Sequence, residues 1–135
     1  MKSTANILLL ILLLVAVSCL GKVHGPEACV DSTEVDLGTV FVNVMPVAEG
    51  TVTLTNRGDA DLYIRRIETE CPCTTVSSSA DTLSGGSSSI LRVKITFEPT
   101  DTVPHNVYRM IEIHTNDSLH SPLMVGFKLK ADIKH

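Results

Sequence analysis

The residues in this 135-residue chain whose types and spacing could do chemistry are few, and most of them are cysteines and histidines. Cys71-Pro72-Cys73 is the one cluster of reactive side chains. Residues i and i+2 of a strand point to the same face, so two thiolates there could share a soft metal such as Cu(I). A disulfide between them is the competing reading, strained because Pro72 fixes φ near about −65°, and a strained bridge that reduces easily suits a redox role. The plainer reading makes both cysteines small buried hydrophobes closing the end of a strand. Cys29 stands alone and outside the pair.

His105, His114 and His120 lie close together in sequence, and His114 shares its parity with Tyr108, Met110 and Glu112. Scattered exposed histidines explain them at least as well as a metal site, which needs convergent geometry. Four aspartates precede a hydroxyl residue, giving Ser32, Thr82, Thr102 and Ser118 as candidate acceptors. The pattern resembles the O-glycosylation acceptor of Bacteroidetes, and all four fall in turns or linkers, where an enzyme could reach them. Asp and Ser/Thr also favour turns for their own backbone hydrogen bonds, so the pattern has a purely local explanation. No serine sits in a Gly-x-Ser-x-Gly elbow and no histidine has motif spacing. The chain therefore reads as no enzyme, with no cofactor.

The start of the chain adds a different kind of cysteine. Lys2 precedes an apolar run from Ile7 to Val17, ending in Ser18-Cys19. That run is shorter than the about 20 residues needed to span a bilayer, and it has the layout of a secretory signal. Ala16-Val17-Ser18 fits an ordinary signal peptidase site; Val17-Ser18-Cys19 fits the lipoprotein pattern, which alone accounts for the cysteine. On that reading residues 1–18 are removed, Cys19 carries lipid, and the protein is exported and held at the membrane on the periplasmic face or cell surface. Stable attachment then takes more than one acyl chain. Losing residues 1–18 removes one base and no acid, so the formal charge moves from −4 to −5. With this acidity, no basic stripe and five aromatic residues, nucleic acid is not a partner.

Strands must position everything else. A linker runs over residues 19–33, and from Glu34 to His135 the chain alternates with period 2 between turn residues. The predicted strands are Val35–Val42, Glu49–Asn56, Asp61–Glu68, Glu70–Val76, Ile90–Phe97, Val107–Thr115 and Leu123–Ile133. Gly38 inside the first implies a bulge or a close backbone approach. Ser77–Ser89 reads as a flexible loop or one irregular edge strand. Leu54, Leu91, Ile95 and Phe127 fall on the inward parities and are the candidate core. With no 3.6-residue pattern, the fold is all-β: an immunoglobulin-like antiparallel β-sandwich of about seven strands.

Leu54-Thr55-Asn56-Arg57-Gly58, then Leu62-Tyr63-Ile64, then Cys71-Pro72-Cys73-Thr74 resembles the signature of the bacterial domain of unknown function 1573. Val35 to Val40, Gly85-Gly86, Phe97-Glu98-Pro99 and Thr115-Asn116-Asp117 extend the match over roughly Glu34 to Ala131. Pro72 stands where that family usually has glycine. The resemblance implies an immunoglobulin-like sandwich similar to those of ciliary and spindle-associated proteins, and it implies no activity. The expected role is a lipid-anchored envelope module that binds another protein or a glycan through loops or an edge strand. The alternative is a thiol or metal site at Cys71 and Cys73.

Overall fold

Period-2 alternation builds most of the molecule. The computed structural model describes residues 24–98 and 102–135. Its strands are β1 (Ala28–Val30), β2 (Glu34–Phe41), β3 (Val47–Asn56), β4 (Leu62–Thr69), β5 (Thr74–Ser78), β6 (Thr82–Leu83), β7 (Ser88–Thr96), β8 (His105–Thr115) and β9 (Leu123–Asp132). Two sheets result, ordered β1-β3-β7-β5 and β2-β9-β8-β4-β6. Strand β7 shows why they stack: Ser89, Leu91, Val93 and Ile95 are buried while the residues between them are exposed. The apolar face of one sheet must cover that of the other. Leu54, Leu91, Ile95 and Phe127 are each at most 1% exposed, as the inward parities require.

The fold is the sandwich read from the sequence, with additions. Nine strands occur among the described residues rather than about seven, because β1 and β6 are very short. The sandwich also begins before Glu34. Within the expected linker, β1 pairs antiparallel with β3, Val30 facing Leu54, and Ala28 is buried. The Ser77–Ser89 stretch is built into the sandwich rather than looping free of it. Leu83 in β6 enters the core, and the buried Ser89 hydroxyl accepts a hydrogen bond from the Ala80 N–H at 3.1 Å. One pairing departs from the antiparallel rule, since β2 runs parallel to β9.

Two bulges set which side chains face outward. In β2 the register against β9 shifts between Asp36 and Thr39, where Gly38 takes a positive φ of 71° and donates its N–H to Asp36 Oδ1. Glycine adopts that conformation without the Cβ clash other residues meet. In β4 the register against β8 shifts between Ile64 and Arg66. An extra residue reverses parity. Ile67 therefore follows Leu62 and Ile64 inward, while Arg66 and Glu68, which strict alternation would bury, face out.

The Asn56-x-Gly58 turn has an architectural job. Asn56 is fully buried, and all four of its amide hydrogen-bonding positions are used. Its Nδ2 donates to the carbonyls of Ala60 and Leu83, at 2.8 and 2.9 Å. Its Oδ1 accepts from the N–H groups of Glu27 and Gly58, at 3.2 and 3.0 Å. At Gly58 an added Cβ would lie 1.9 Å from the Gly25 carbonyl oxygen, so only glycine lets the entering chain pass. The entry segment is then gripped from three sides: Gly25 N–H by Asp59, Glu27 N–H by Asn56 and Ala28 N–H by Asp117.

Candidate functional site

The C-terminal halves of β4 and β8 bring together the side chains best suited to chemistry. Across the β4–β8 ladder Arg66 lies opposite His114 and Glu68 opposite Glu112. The β4 bulge turns the first of each pair outward, and His114 and Glu112 share the outward parity of β8. His114 Nε2 is 3.2 Å from Glu112 Oε2 and 3.5 Å from Glu68 Oε2. The other Glu68 oxygen, Oε1, accepts a 2.6 Å hydrogen bond from Arg66 Nε. That bond and the guanidinium charge hold the Glu68 carboxyl below its ordinary value, with His114 adding to the effect. Beside the cluster lies a recess of about 100 Å³ lined by Glu68, Thr69, Glu70, Met110 and Glu112. Glu68 and Glu112 were not singled out from sequence. Two traces were there: Glu112 and His114 sit at i and i+2, and the Ile64-to-Ile67 spacing breaks alternation.

Three residues past Glu68, Cys71 and Cys73 are joined in a disulfide. In this bridged form the sulfurs offer no thiolate to a soft metal. Both cysteines are half-buried. The Cys73 N–H points at Cys71 Sγ, and the Thr69 hydroxyl donates to the Cys71 carbonyl. The Cys73 carbonyl accepts from the Thr96 N–H at 2.9 Å, tying the bridge to β7. Cys29 is a free thiol on β1, half-buried and unbridged to the pair. Cys19, the lipidation candidate, lies outside the described residues.

The candidate acceptor hydroxyls are dispersed. Thr82, Thr102 and Ser118 are exposed, whereas Ser32 is half-buried and donates to the Glu34 carbonyl at 2.7 Å. Three of the preceding aspartates have structural partners, Asp81 accepting from the Ser78 hydroxyl. Asp31 accepts from the Thr53 N–H, and Asp117 is buried and accepts from Ala28, Leu119 and His120 N–H groups. Burial pushes the Asp117 carboxyl up, but the Ala28 N–H, the His120 ring and the neighbouring N–H groups together hold it below its ordinary value. His120 is thereby occupied, its Nδ1 2.7 Å from Asp117 Oδ2. His105 is separate from both other histidines' partners, so the three do not converge. The Asn116 amide is engaged with backbone groups of β4 and its approach, Oδ1 accepting from the Tyr63 N–H and Nδ2 donating to the Asp61 carbonyl.

On the outer face of β2, β9 and β8 runs a shallow groove of about 570 Å³, with Asp36, Thr39, Asn106, Tyr108, Lys128 and Lys130 on its walls. Its charges are of both signs, and no nucleophile–base pair lies in it.

Solved structures share the sandwich. A protein of unknown function from Porphyromonas gingivalis W83 is 17% identical with a TM-score of 0.65, over 82% of this chain and 49% of that one. The chain thus spans about half of that relative's length. The E. coli chaperone DraB is 15% identical with a TM-score of 0.53, over 84% of this chain and 57% of that one. The secreted serine protease VesC from Vibrio cholerae is 16% identical with a TM-score of 0.54, over 79% of this chain and 23% of its own length. At such identities the likeness is one of fold. No curated protein matches the chain. Residues 29–131 match the family described as a protein of unknown function, DUF1573, and the chain belongs to that family.

Proposed function

We propose that this protein is a non-enzymatic, lipid-anchored module of the cell envelope that binds an extended segment of another protein along strand β5. The observation that carries this reading is the character of that edge. β5 ends its sheet, paired only with β7, and reads Thr74-Thr75-Val76-Ser77-Ser78. Edge strands that must stay unpaired are usually blunted by lysine, proline or inward charge, and β5 has none of these. Its uncharged backbone edge suits strand addition, in which main-chain hydrogen bonds give affinity and alternate side chains give specificity. The Cys71–Cys73 disulfide sits just before it and fixes how the chain enters the strand. The match to a family of unknown function and a chaperone among the fold relatives are in keeping with a binding role. The signal-like start and Cys19 supply the anchor.

Photo-crosslinking side chains at the outward positions Thr75 and Ser77 test the edge. Both should give the same discrete adduct in envelope membranes, and Arg92, outward on the central β7, should give none. Equal adducts from Arg92 would remove the edge from the reading. Labelling with a fatty-acid analogue tests the anchor: it should mark the wild type and miss Cys19→Ala.

The disulfide itself favours a second reading, exchange with a substrate thiol. A substrate thiolate would attack one sulfur, forming a mixed disulfide and releasing the other as a thiolate. In a Cys71→Ser or Cys73→Ser variant the remaining thiolate would attack an oxidised substrate's disulfide, release one substrate thiolate and stay trapped without a resolving cysteine; failure of any mixed disulfide to accumulate in cells would set this aside.

A further inference from the structure

We propose that Glu68, Glu112 and His114 form a binding site for a zinc-class divalent transition ion on the outer face of the β2-β9-β8-β4-β6 sheet. This goes beyond the edge-binding reading and does not depend on it. One ligand atom from each residue lies within 4.8 Å of the others. Zinc takes histidine nitrogen and carboxylate oxygen at roughly 2.0–2.2 Å, usually in tetrahedral array. Tetrahedral ligands at about 2.1 Å from the ion stand about 3.4 Å from one another. The separations from His114 Nε2 to Glu112 Oε2 and Glu68 Oε2 are 3.2 and 3.5 Å, so two of the three ligand spacings already suit a metal, and the third lies within 4.8 Å.

The surrounding residues support this assignment. Two glutamates directly opposite on neighbouring strands repel; Arg66 offsets the charge of Glu68 from one side, and an ion held with His114 would offset the pair from the other. Arg66 takes Glu68 Oε1 and leaves Oε2 turned toward His114. It is an outer partner that orients a metal ligand. The imidazole is the recessed base of the site, its side chain 16% exposed against 51% for Glu68 and 39% for Glu112. A mixed nitrogen–oxygen set selects a transition ion over calcium or magnesium, which take oxygen ligands. Three protein ligands leave a coordination position open to water or to a group on a partner.

Cobalt(II) titration tests the site, because tetrahedral cobalt is visibly coloured. The protein should carry Cys29→Ser, so that the free thiol cannot compete. The expected result is saturation at one ion per chain, displaced by zinc. His114→Ala and Glu112→Gln should each weaken binding at least tenfold, and His120→Ala should leave it unchanged. All three alter outward-facing or exposed side chains, and matching circular dichroism melts in the absence of metal would show intact folds. Absence of saturable binding in the parent protein, or equal affinity in His114→Ala, would overturn the assignment. Loss of binding in His120→Ala would do the same and move the ion to the Asp117–His120 pair.

Discussion

Two polar clusters sit in this sandwich, and they are built to opposite specifications. Around Asn56 the groups are buried, mostly neutral, and matched to backbone partners. Around His114 they are charged, partly exposed, and matched to one another. The first obeys the rule that a buried polar group left unpaired costs far more than a paired one contributes. The second lies where water screens each pair and exposed ion pairs add little to stability. Asn56 and Gly58 of the Leu54–Gly58 motif belong to the first cluster.

Graded substitutions can break this contrast. The largest effect is expected at Asn56→Ala, which strands two N–H groups and two carbonyls. It should cost about 3 kcal/mol or more, rivalling Phe127→Ala at about 3–5 kcal/mol. Urea denaturation of both measures it, and an Asn56→Ala midpoint at the wild-type value would mean that water replaces the amide.

Asp117→Asn comes next, at about 1.5–3 kcal/mol, because hydrogen bonds to a charged group are lost or weakened. The carboxyl also carries a pH signature. Its folded value lies below the ordinary 3.8, so its stabilisation is complete above that value and is lost as pH falls through the lower folded one. Stability measured downward from pH 5 should fall less steeply in Asp117→Asn than in wild type. Parallel slopes would assign the acid sensitivity to other carboxylates.

Replacing Cys71 and Cys73 together with serine should cost about 1–2 kcal/mol, as a bridge closing so short a loop restricts the unfolded chain only modestly. Thermal unfolding with and without reductant checks it, since reductant should lower the wild-type midpoint and leave the double variant unmoved. The smallest effect belongs to Glu112→Gln, whose metal-free denaturation midpoint should match wild type. A marked loss there would show the outer cluster to be structural and erase the contrast.

Much of the fold was legible because burial writes itself into alternation. Leu91, Val93 and Ile95 declare β7, and Gly38 marks the bulge of β2. The elements that escaped are those too short to alternate. Ala28-Cys29-Val30 offers three residues in an apparent linker, and β6 offers Leu83 alone among serines. The parallel pairing of β2 with β9 was hidden because pattern within a strand does not state its neighbour's direction. The outer cluster was hidden for a related reason. Glu68 and His114 meet only through the β4–β8 register and the bulge that turns Glu68 outward, and neither can be read from one segment. The cysteine pair was visible in sequence, whereas its chemistry was not, since i, i+2 spacing on a strand allows both a bridge and a shared ion.

The grip on Gly25 to Ala28 has a mechanical consequence. A tether upstream of Gly25 would deliver any pull first to this segment. Asp59, Asn56 and Asp117 hold the N–H groups of Gly25, Glu27 and Ala28, while the Gly25 and Glu27 carbonyls accept from Asp59 and Arg57. These contacts come from two separate loops and a strand end, so tension spreads into both sheets at once. Strand β1, with three paired residues, would otherwise peel from β3 one bond at a time. A sandwich fastened this way would take a pull at Gly25 without opening at the seam.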